Sequence, residues 1–170
     1  MQLIAHGLGF SIGAVMKMNL SEEHIHLLLE SFGAHVPLTY RFLKEYGVAW
    51  SIAKKIDHGA LSEMGQCYRN AALMAAVVPG LIYCEGLACT GTLNFPMWHA
   101  WLVDEHGNAY DPTWADGGHY FGVPMTKEFL YQFIEETGAY GVLDGLYRLP
   151  NRSPDKVYEF LVGGVHDLKI

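Results

Sequence analysis

The sequence has 170 residues, of which 51% are hydrophobic, and this balance is typical of one globular domain with a substantial core. Eleven Lys and Arg residues against eighteen Asp and Glu residues give a formal net charge of -7 at pH 7. Nucleic acids and anionic membrane surfaces are bound through clusters of positive side chains, so the charge argues against both as partners. We therefore expect a single domain over residues 1–170.

Cysteine usage and apolar stretches indicate the compartment. The three cysteines cannot all pair within one chain, and a core of this size needs no disulfide bonds, so we expect a cytoplasmic protein. The apolar segment 1–18 lacks the basic start and the small-x-small cleavage site of a signal peptide, so we expect it to belong to the mature structure. The apolar stretch 71–81 is shorter than the ~20 residues of a membrane-spanning helix, so we expect no membrane partner.

Two helical patterns lie in the first third of the chain. Ser21 is a suitable N-cap, and apolar residues at helical spacing after it predict a helix over residues 21–32. A second helix is predicted over residues 37–46, where the chain reaches Gly47. The apolar residues of segment 50–56 allow this helix to resume after the glycine.

A central helix is predicted over residues 66–78, because most of these residues are strong helix formers and Pro79-Gly80 ends the pattern. Cys67 lies at its N-terminal edge. A thiol there experiences the positive end of the helix dipole and nearby unpaired amides, which favour the thiolate. Free cysteine is also often buried as a small apolar group, but this position makes Cys67 a candidate nucleophile.

Residues 81–114 are rich in β-branched and aromatic side chains. Separated by turn formers, they predict three antiparallel strands over residues 81–90, 97–105 and 108–114. The connection over residues 104–108 has Gly107 to supply backbone freedom, so we expect the second and third strands to form a hairpin.

Two more helices are predicted towards the C-terminal end. Thr126 is a suitable N-cap for a helix that Gly138 ends, and Ser153-Pro154 begins a short last helix. The order of elements predicts an α+β domain in which helices pack against a small antiparallel sheet, with a cleft between the helix of Cys67 and the second strand.

His99 and Asp111 are candidate partners of this cysteine. The strand period places His99 on the same face as Trp101, where a core histidine bonded to a backbone carbonyl is the ordinary interpretation. Asp111, however, lies across the predicted hairpin, a diagonal step from His99, where its carboxylate can orient the imidazole. An aspartate before proline can also simply end a strand. Together, Cys67, His99 and Asp111 supply the nucleophile, base and orienting group of thiol catalysis.

The segments GQCYRNAALM, YCEGLA and WHAWLVDEHGNAYDPTW, in this order, resemble the core of the transglutaminase-like superfamily of papain-fold enzymes. The resemblance covers about Gly65 to Trp114, under a third of the chain, and is most specific in GQC, HAW and DPTW. It implies a papain-like core in which the nucleophile helix packs on a small antiparallel sheet. It also implies that Cys67 is the nucleophile, His99 the general base and later acid, and Asp111 the third residue of the triad.

The sequence departs from classical eukaryotic transglutaminases at Tyr68, where they have tryptophan, and we expect a compact member without their β-sandwich domains and calcium sites. The superfamily includes proteases, amidases and deamidases. The resemblance therefore implies hydrolysis, deamidation or transamidation of an amide in a protein or peptide through a thioester, without a cofactor or metal. The substrate, the acceptor and the oligomeric state stay open.

The oxyanion of this reaction is expected at the helix N-terminus, where the backbone amide of Cys67 can donate. A second donor would be the side chain of Gln66 or the indole of Trp50, whereas in the structural interpretation Gln66 is only a surface cap residue. Several aromatic side chains are expected either to pack around the helix and sheet or to line the substrate cleft. They are Tyr68, Trp98, Trp101 and Trp114.

Two other functions fit the same three residues. Thiolate, imidazole and carboxylate groups are all zinc ligands, so Cys67, His99 and Asp111 can be interpreted as a zinc site with an open fourth position. The same scaffold can also be a binding module without turnover, since a fold does not guarantee activity.

The first predicted strand carries three further reactive side chains. Cys84 and Cys89 are five positions apart and fall on opposite faces of a regular strand, which argues against a shared metal ion. Glu85 is expected to face solvent, with support of the neighbouring His99 strand as the alternative.

Overall fold

The computed structural model of the protein describes residue 31 and residues 37–50, 53–57, 59, 62–90, 96–149 and 153–168. The apolar segment 1–18 and the predicted helix over 21–32, apart from Ser31, lie outside these ranges. The described part is an α+β domain with four α-helices and a curled six-stranded sheet. No helix within it is long and apolar enough to cross a membrane.

The helices are α1 (Leu38–Tyr46), α2 (Cys67–Val77), α3 (Lys127–Thr137) and α4 (Pro154–Gly163). The strands are β1 (Val48–Trp50), β2 (Ala53–Lys55), β3 (Ile82–Thr90), β4 (Met97–Val103), β5 (Ala109–Asp111) and β6 (Gly117–Met125). The sheet order is β1-β6-β3-β4-β5-β2, with β2 parallel to β5 and every other pair antiparallel.

The three strands predicted from residues 81–114 are confirmed as β3, β4 and β5, which are neighbours in that order. The hairpin between β4 and β5 forms as predicted: Gly107 has a φ of 77°, and the Asp104 carboxylate accepts hydrogen bonds from the backbone amides of His106 and Asn108, both at 2.9 Å. This carboxylate closes the turn and sets the register that brings Asp111 beside β4.

The prediction that the second helix resumes over residues 50–56 is wrong. β1 and β2 lie there instead, because each pairs with a strand that is distant in sequence: β1 with β6, and β2 with β5. β6 was not predicted either. Pairing and burial on the sheet override the local helical spacing, and Trp50 at the end of β1 is buried among other aromatic rings.

The remaining helices agree with their capping signals. Thr126 Oγ1 accepts a hydrogen bond from the Phe129 amide at 3.4 Å, and Gly138 ends α3 in the left-handed conformation. Ser153 caps α4, whose first residue is Pro154.

Two apolar clusters hold the domain together. The larger contains Met74 of α2 and the β4 residues Ala100 and Leu102, and the smaller contains the β4 residues Trp101 and Val103. Successive β4 side chains therefore point to opposite faces, as predicted. Because α2 packs against β3 and β4, its first residue, Cys67, lies near the start of β4.

Candidate active site

Cys67 is the first residue of α2, and its side chain is half-buried. Before it, Gly65 has a φ of 79°, a conformation that glycine adopts without strain, and Gln66 occupies the N-cap position. The first amides of a helix have no partner within the helix. The thiol thus lies at the positive end of the helix dipole, with the unpaired amides of the first turn around it.

Asn70 fastens the start of α2 to the rest of the site. Its buried side-chain amide donates to the Glu63 carbonyl at 2.6 Å and to Thr113 Oγ1 at 3.0 Å. Thr113 lies two residues after Asp111, so Asn70 connects the helix of Cys67 to the turn that carries the aspartate. Asn70 was not among the predicted site residues, and its position one helical turn after Cys67 is the signal that could have identified it.

His99 lies on β4 and is 1% exposed. Its Nε2 is 2.8 Å from Asp111 Oδ2, and Cys67 lies close enough to the same ring to raise its pKa. Since Nε2 is engaged by Asp111, Nδ1 is the ring nitrogen left for the thiol. The Trp114 ring stacks on the imidazole with centroids 3.7 Å apart and planes 11° apart, which restrains the ring's rotation.

Asp111 ends β5 and is fully buried. Its Oδ1 accepts hydrogen bonds from the backbone amides of Thr113 at 2.7 Å and Trp114 at 2.9 Å, while Oδ2 accepts from the Tyr120 hydroxyl at 2.7 Å. The two interpretations of this residue are therefore compatible, because one oxygen shapes the turn and the other faces His99.

The electrostatics favour a charged pair. Burial lowers the pKa of His99, but hydrogen bonds and charges from Asp111 and Cys67 raise it by more, so the pKa lies above its ordinary value. Burial raises the pKa of Asp111, but His99, the Trp114 amide and the Tyr120 hydroxyl outweigh it, so this pKa lies below its ordinary value. An imidazolium between a carboxylate and a thiol is the arrangement that these shifts stabilise.

Three of the residues expected near the thiol, Gln66, Tyr68 and Trp114, lie beside Cys67 or His99. Gln66 is exposed, makes no side-chain cap hydrogen bond and lines a cavity next to Cys67, together with Tyr68. Trp114 covers His99 as described. Gln66 therefore occupies the surface cap position that the structural interpretation expected, and because its side chain makes no cap hydrogen bond it stays available as an oxyanion donor.

Trp101 departs from the expectation of a cleft lining, and the position of Trp50 does not favour it as the alternative oxyanion donor. Trp101 is fully buried against Trp50 and Tyr120 in the smaller core cluster, so it cannot line a cleft. Trp50 is 7% exposed in the same cluster, on the far edge of the sheet, which does not favour its indole as the oxyanion donor. Trp98 is half-buried and packs edge-on against Tyr40.

The expectation that Glu85 faces solvent is wrong. This β3 side chain is fully buried, and its carboxylate accepts hydrogen bonds from the Tyr83 hydroxyl at 2.8 Å and from three consecutive backbone amides. These amides belong to Val142, Leu143 and Asp144, at 2.6, 2.9 and 3.1 Å. Glu85 therefore anchors the segment after α3 to the middle of the sheet.

Glu85→Ala is expected to lower the free energy of unfolding by about 3–5 kcal/mol, because it leaves buried donors without an acceptor. Burial raises the pKa of Glu85 to about 7, since its four hydrogen bonds only partly offset desolvation. Between the ordinary pKa of 4.5 and about 7, the unfolded chain releases this proton while the folded protein keeps it. The contribution to stability is thus complete below pH 4.5 and is lost as the pH rises through about 7.

Urea unfolding at a series of pH values checks both statements. Glu85→Gln should remove the fall in stability over this pH range, and Glu159→Ala, at an exposed position on α4, should change neither quantity. A wild-type protein with the same pH dependence as Glu85→Gln would contradict the assignment.

The metal interpretation finds no support in the donor arrangement. Among the described residues, no three His, Cys, Asp or Glu side chains are placed to hold one ion. His99 and Asp111 bond to each other instead of converging on a common point. Cys84 and Cys89 belong to different core clusters, on opposite faces of β3 as predicted.

Comparison of the chain with protein-family models, with curated proteins and with solved structures finds no match in any of the three. The assignment of the site therefore rests on the geometry of its own residues.

Proposed function

We propose that the protein is a cysteine-nucleophile acyl-transfer enzyme that acts on an amide through a thioester. The observation that carries the proposal is the hydrogen-bonded pair of His99 and Asp111 beside Cys67, whose thiol is half-buried at a helix N-terminus. A nucleophile, a base within hydrogen-bond reach and a group that orients the base are the parts that covalent thiol catalysis needs.

In the first step, the Cys67 thiolate attacks the amide carbonyl carbon, and the protonated His99 ring gives its proton to the leaving amine. In the second step, His99 takes a proton from water, or from a primary amine, as that acceptor attacks the thioester and releases the thiol. Water gives hydrolysis or glutamine deamidation, and an amine gives transamidation. Asp111 holds the imidazole in position and stabilises its charge throughout.

The oxyanion formed in both steps would lie at the N-terminus of α2. The Cys67 backbone amide is one donor there, and the exposed Gln66 side chain is the second. Both groups belong to the same turn as the nucleophile.

We also propose that the core has a papain-like, transglutaminase-like fold. The nucleophile begins a helix packed on an antiparallel sheet, and the histidine and aspartate lie on adjacent strands of that sheet. This order of parts and the sequence resemblance from Gly65 to Trp114 support the same fold. The expected substrate is an amide in a protein or peptide.

Alkylation with iodoacetamide at neutral pH tests the proposal without a known substrate. Cys67 should react about 100-fold faster than Cys84 or Cys89, because burial raises the pKa of both of the other thiols and hides their sulfur atoms. Peptide mapping by mass spectrometry gives the rate at each cysteine. His99→Ala should slow the reaction of Cys67, because the imidazolium that stabilises its thiolate is gone.

His106→Ala is the matched control, since His106 is exposed in the β4–β5 hairpin and should leave the rate unchanged. Similar reactivity of all three thiols, or a Cys67 rate that does not respond to His99→Ala, would overturn the proposal.

A further inference from the structure

A cavity of about 230 Å³ opens beside the first turn of α2. One wall includes Gln66 and Tyr68, the two residues that flank Cys67 in sequence. The opposite wall is the segment 138–148, which follows α3. Cys67 itself does not line the cavity, so a group bound there would lie beside the helix turn that carries the thiol.

Two guanidinium groups line the cavity, Arg69 from α2 and Arg148 from the opposite wall. Arg69 Nη1 is buried and has no hydrogen-bond partner among the described residues, and it forms an ion pair with the Glu63 carboxylate at 3.7 Å, beyond hydrogen-bond distance. Arg148 Nε donates to the Tyr147 hydroxyl at 3.1 Å, which restrains this side chain at the exposed mouth of the cavity. Among the described residues that line the cavity, the two arginines face a single acidic residue, Asp144, while Glu63 outside the lining pairs with Arg69.

The wall of the cavity opposite α2 is fixed to the sheet by hydrogen bonds. The three amides bound by Glu85 belong to this segment, which fixes its backbone to the sheet. Gly141 brings the backbone close to α2, because a Cβ atom there would lie 3.1 Å from the Tyr68 ring. The two arginines are thus carried on walls whose separation is set before any ligand arrives.

We infer that this cavity is a substrate subsite for a carboxylate, with Arg69 and Arg148 as its ligands. The guanidinium group matches a carboxylate in shape and charge, and a donor that makes no hydrogen bond within the protein gains one when the carboxylate binds. The inference rests on the proposed function and names its substrate class: an amide with an acidic group close to the reacting carbonyl. The carboxylate comes from an acidic side chain or from a chain terminus.

Four chloroacetyl probes test the subsite, because the Cys67 thiolate displaces chloride from each and needs no turnover. N-chloroacetylglycine has a terminal carboxylate, and N-chloroacetylglycinamide is its neutral counterpart. N-chloroacetylglutamic acid α-amide has a side-chain carboxylate, and N-chloroacetylglutamine α-amide is its neutral counterpart. Rates of Cys67 modification are measured by mass spectrometry of the intact protein and of its peptides.

At least one charged probe should react about tenfold faster than its neutral counterpart, although the net charge of the protein repels anions. The pair that shows the larger ratio identifies the source of the carboxylate. Arg69→Gln and Arg148→Gln should each bring that ratio towards one. Arg41→Gln removes the same charge from α1, where Arg41 lies over the Tyr158 ring, and should keep the wild-type ratio.

Fast reaction of Cys67 with equal rates for charged and neutral probes would overturn the subsite alone. A ratio that falls as much in Arg41→Gln as in the other two variants would overturn it too, because it would show only the general field of the protein. Reaction of Cys67 with all four probes as slow as that of Cys84 would overturn the proposed function, and the subsite with it.

Discussion

Replacing Cys67 with alanine is expected to abolish acyl transfer, with a loss of about 10⁴-fold or more, because the sulfur atom forms the covalent bond to the substrate. The assay is incubation of the protein with a mixture of glutamine-rich proteins, with and without a primary amine, followed by mass spectrometry. A gain of about one dalton marks deamidation, an amine adduct marks transamidation, and chain cleavage marks proteolysis. Whichever product the wild type forms should be absent in Cys67→Ala.

The control separates chemistry from folding. Cys67 is half-buried at the end of a helix, so its truncation should leave the thermal unfolding transition almost unchanged. Cys84→Ala removes a thiol of the same kind from the smaller core cluster and should lower stability while the folded fraction stays active. Unfolding of Cys67→Ala, or full activity in it, would contradict the nucleophile assignment.

Asp111→Asn is expected to lower the rate by about 10³-fold to 10⁴-fold while the protein stays folded. The asparagine oxygen can still accept the hydrogen bonds from the Thr113 and Trp114 amides, so the turn is kept. Its amide nitrogen then faces His99 Nε2 and cannot accept a hydrogen bond from the Nε2–H group, so the imidazolium loses its partner. The pKa of His99 should fall as a consequence, because Asp111 is among the groups that raise it.

Turnover measurements and titration of the His99 ring by NMR check the two parts of this prediction. Asp155→Asn makes the same chemical change on the exposed first turn of α4 and should alter neither. Normal turnover in Asp111→Asn would show that the carboxylate serves only the turn.

The lowered pKa of Asp111 also predicts how acid acts on the fold. A carboxylate with a pKa below its ordinary 3.8 contributes stability that is complete above pH 3.8 and is lost as the pH falls through the pKa of the folded state. The wild type should therefore lose more stability than Asp111→Asn on acidification below that pH.

The sequence alone determined the parts of the site that depend on local structure. The start of α2 at Cys67, the alternation along β4 and the turn after Val103 all follow from residues close together in the chain. A tight hairpin fixes which residues lie opposite each other, so the approach of Asp111 to His99 was predictable from spacing. Cys67, the third residue of the proposed triad, was predicted from its position on the helix and from the family resemblance.

Tertiary structure decided which segments pack against each face of the sheet. Strands β1, β2 and β6 form through partners distant in the chain, so local spacing favoured a helix over residues 50–56. The backbone amides that donate hydrogen bonds to Glu85 lie 57 to 59 residues further along the chain, and Thr113 lies 43 residues from Asn70. A periodic pattern indicates the face to which a side chain points, but burial and hydrogen bonding depend on the segment that packs against that face. Only long-range packing therefore decided that Glu85 is an anchor, that Trp101 is core and that two arginines share a cavity beside the thiol.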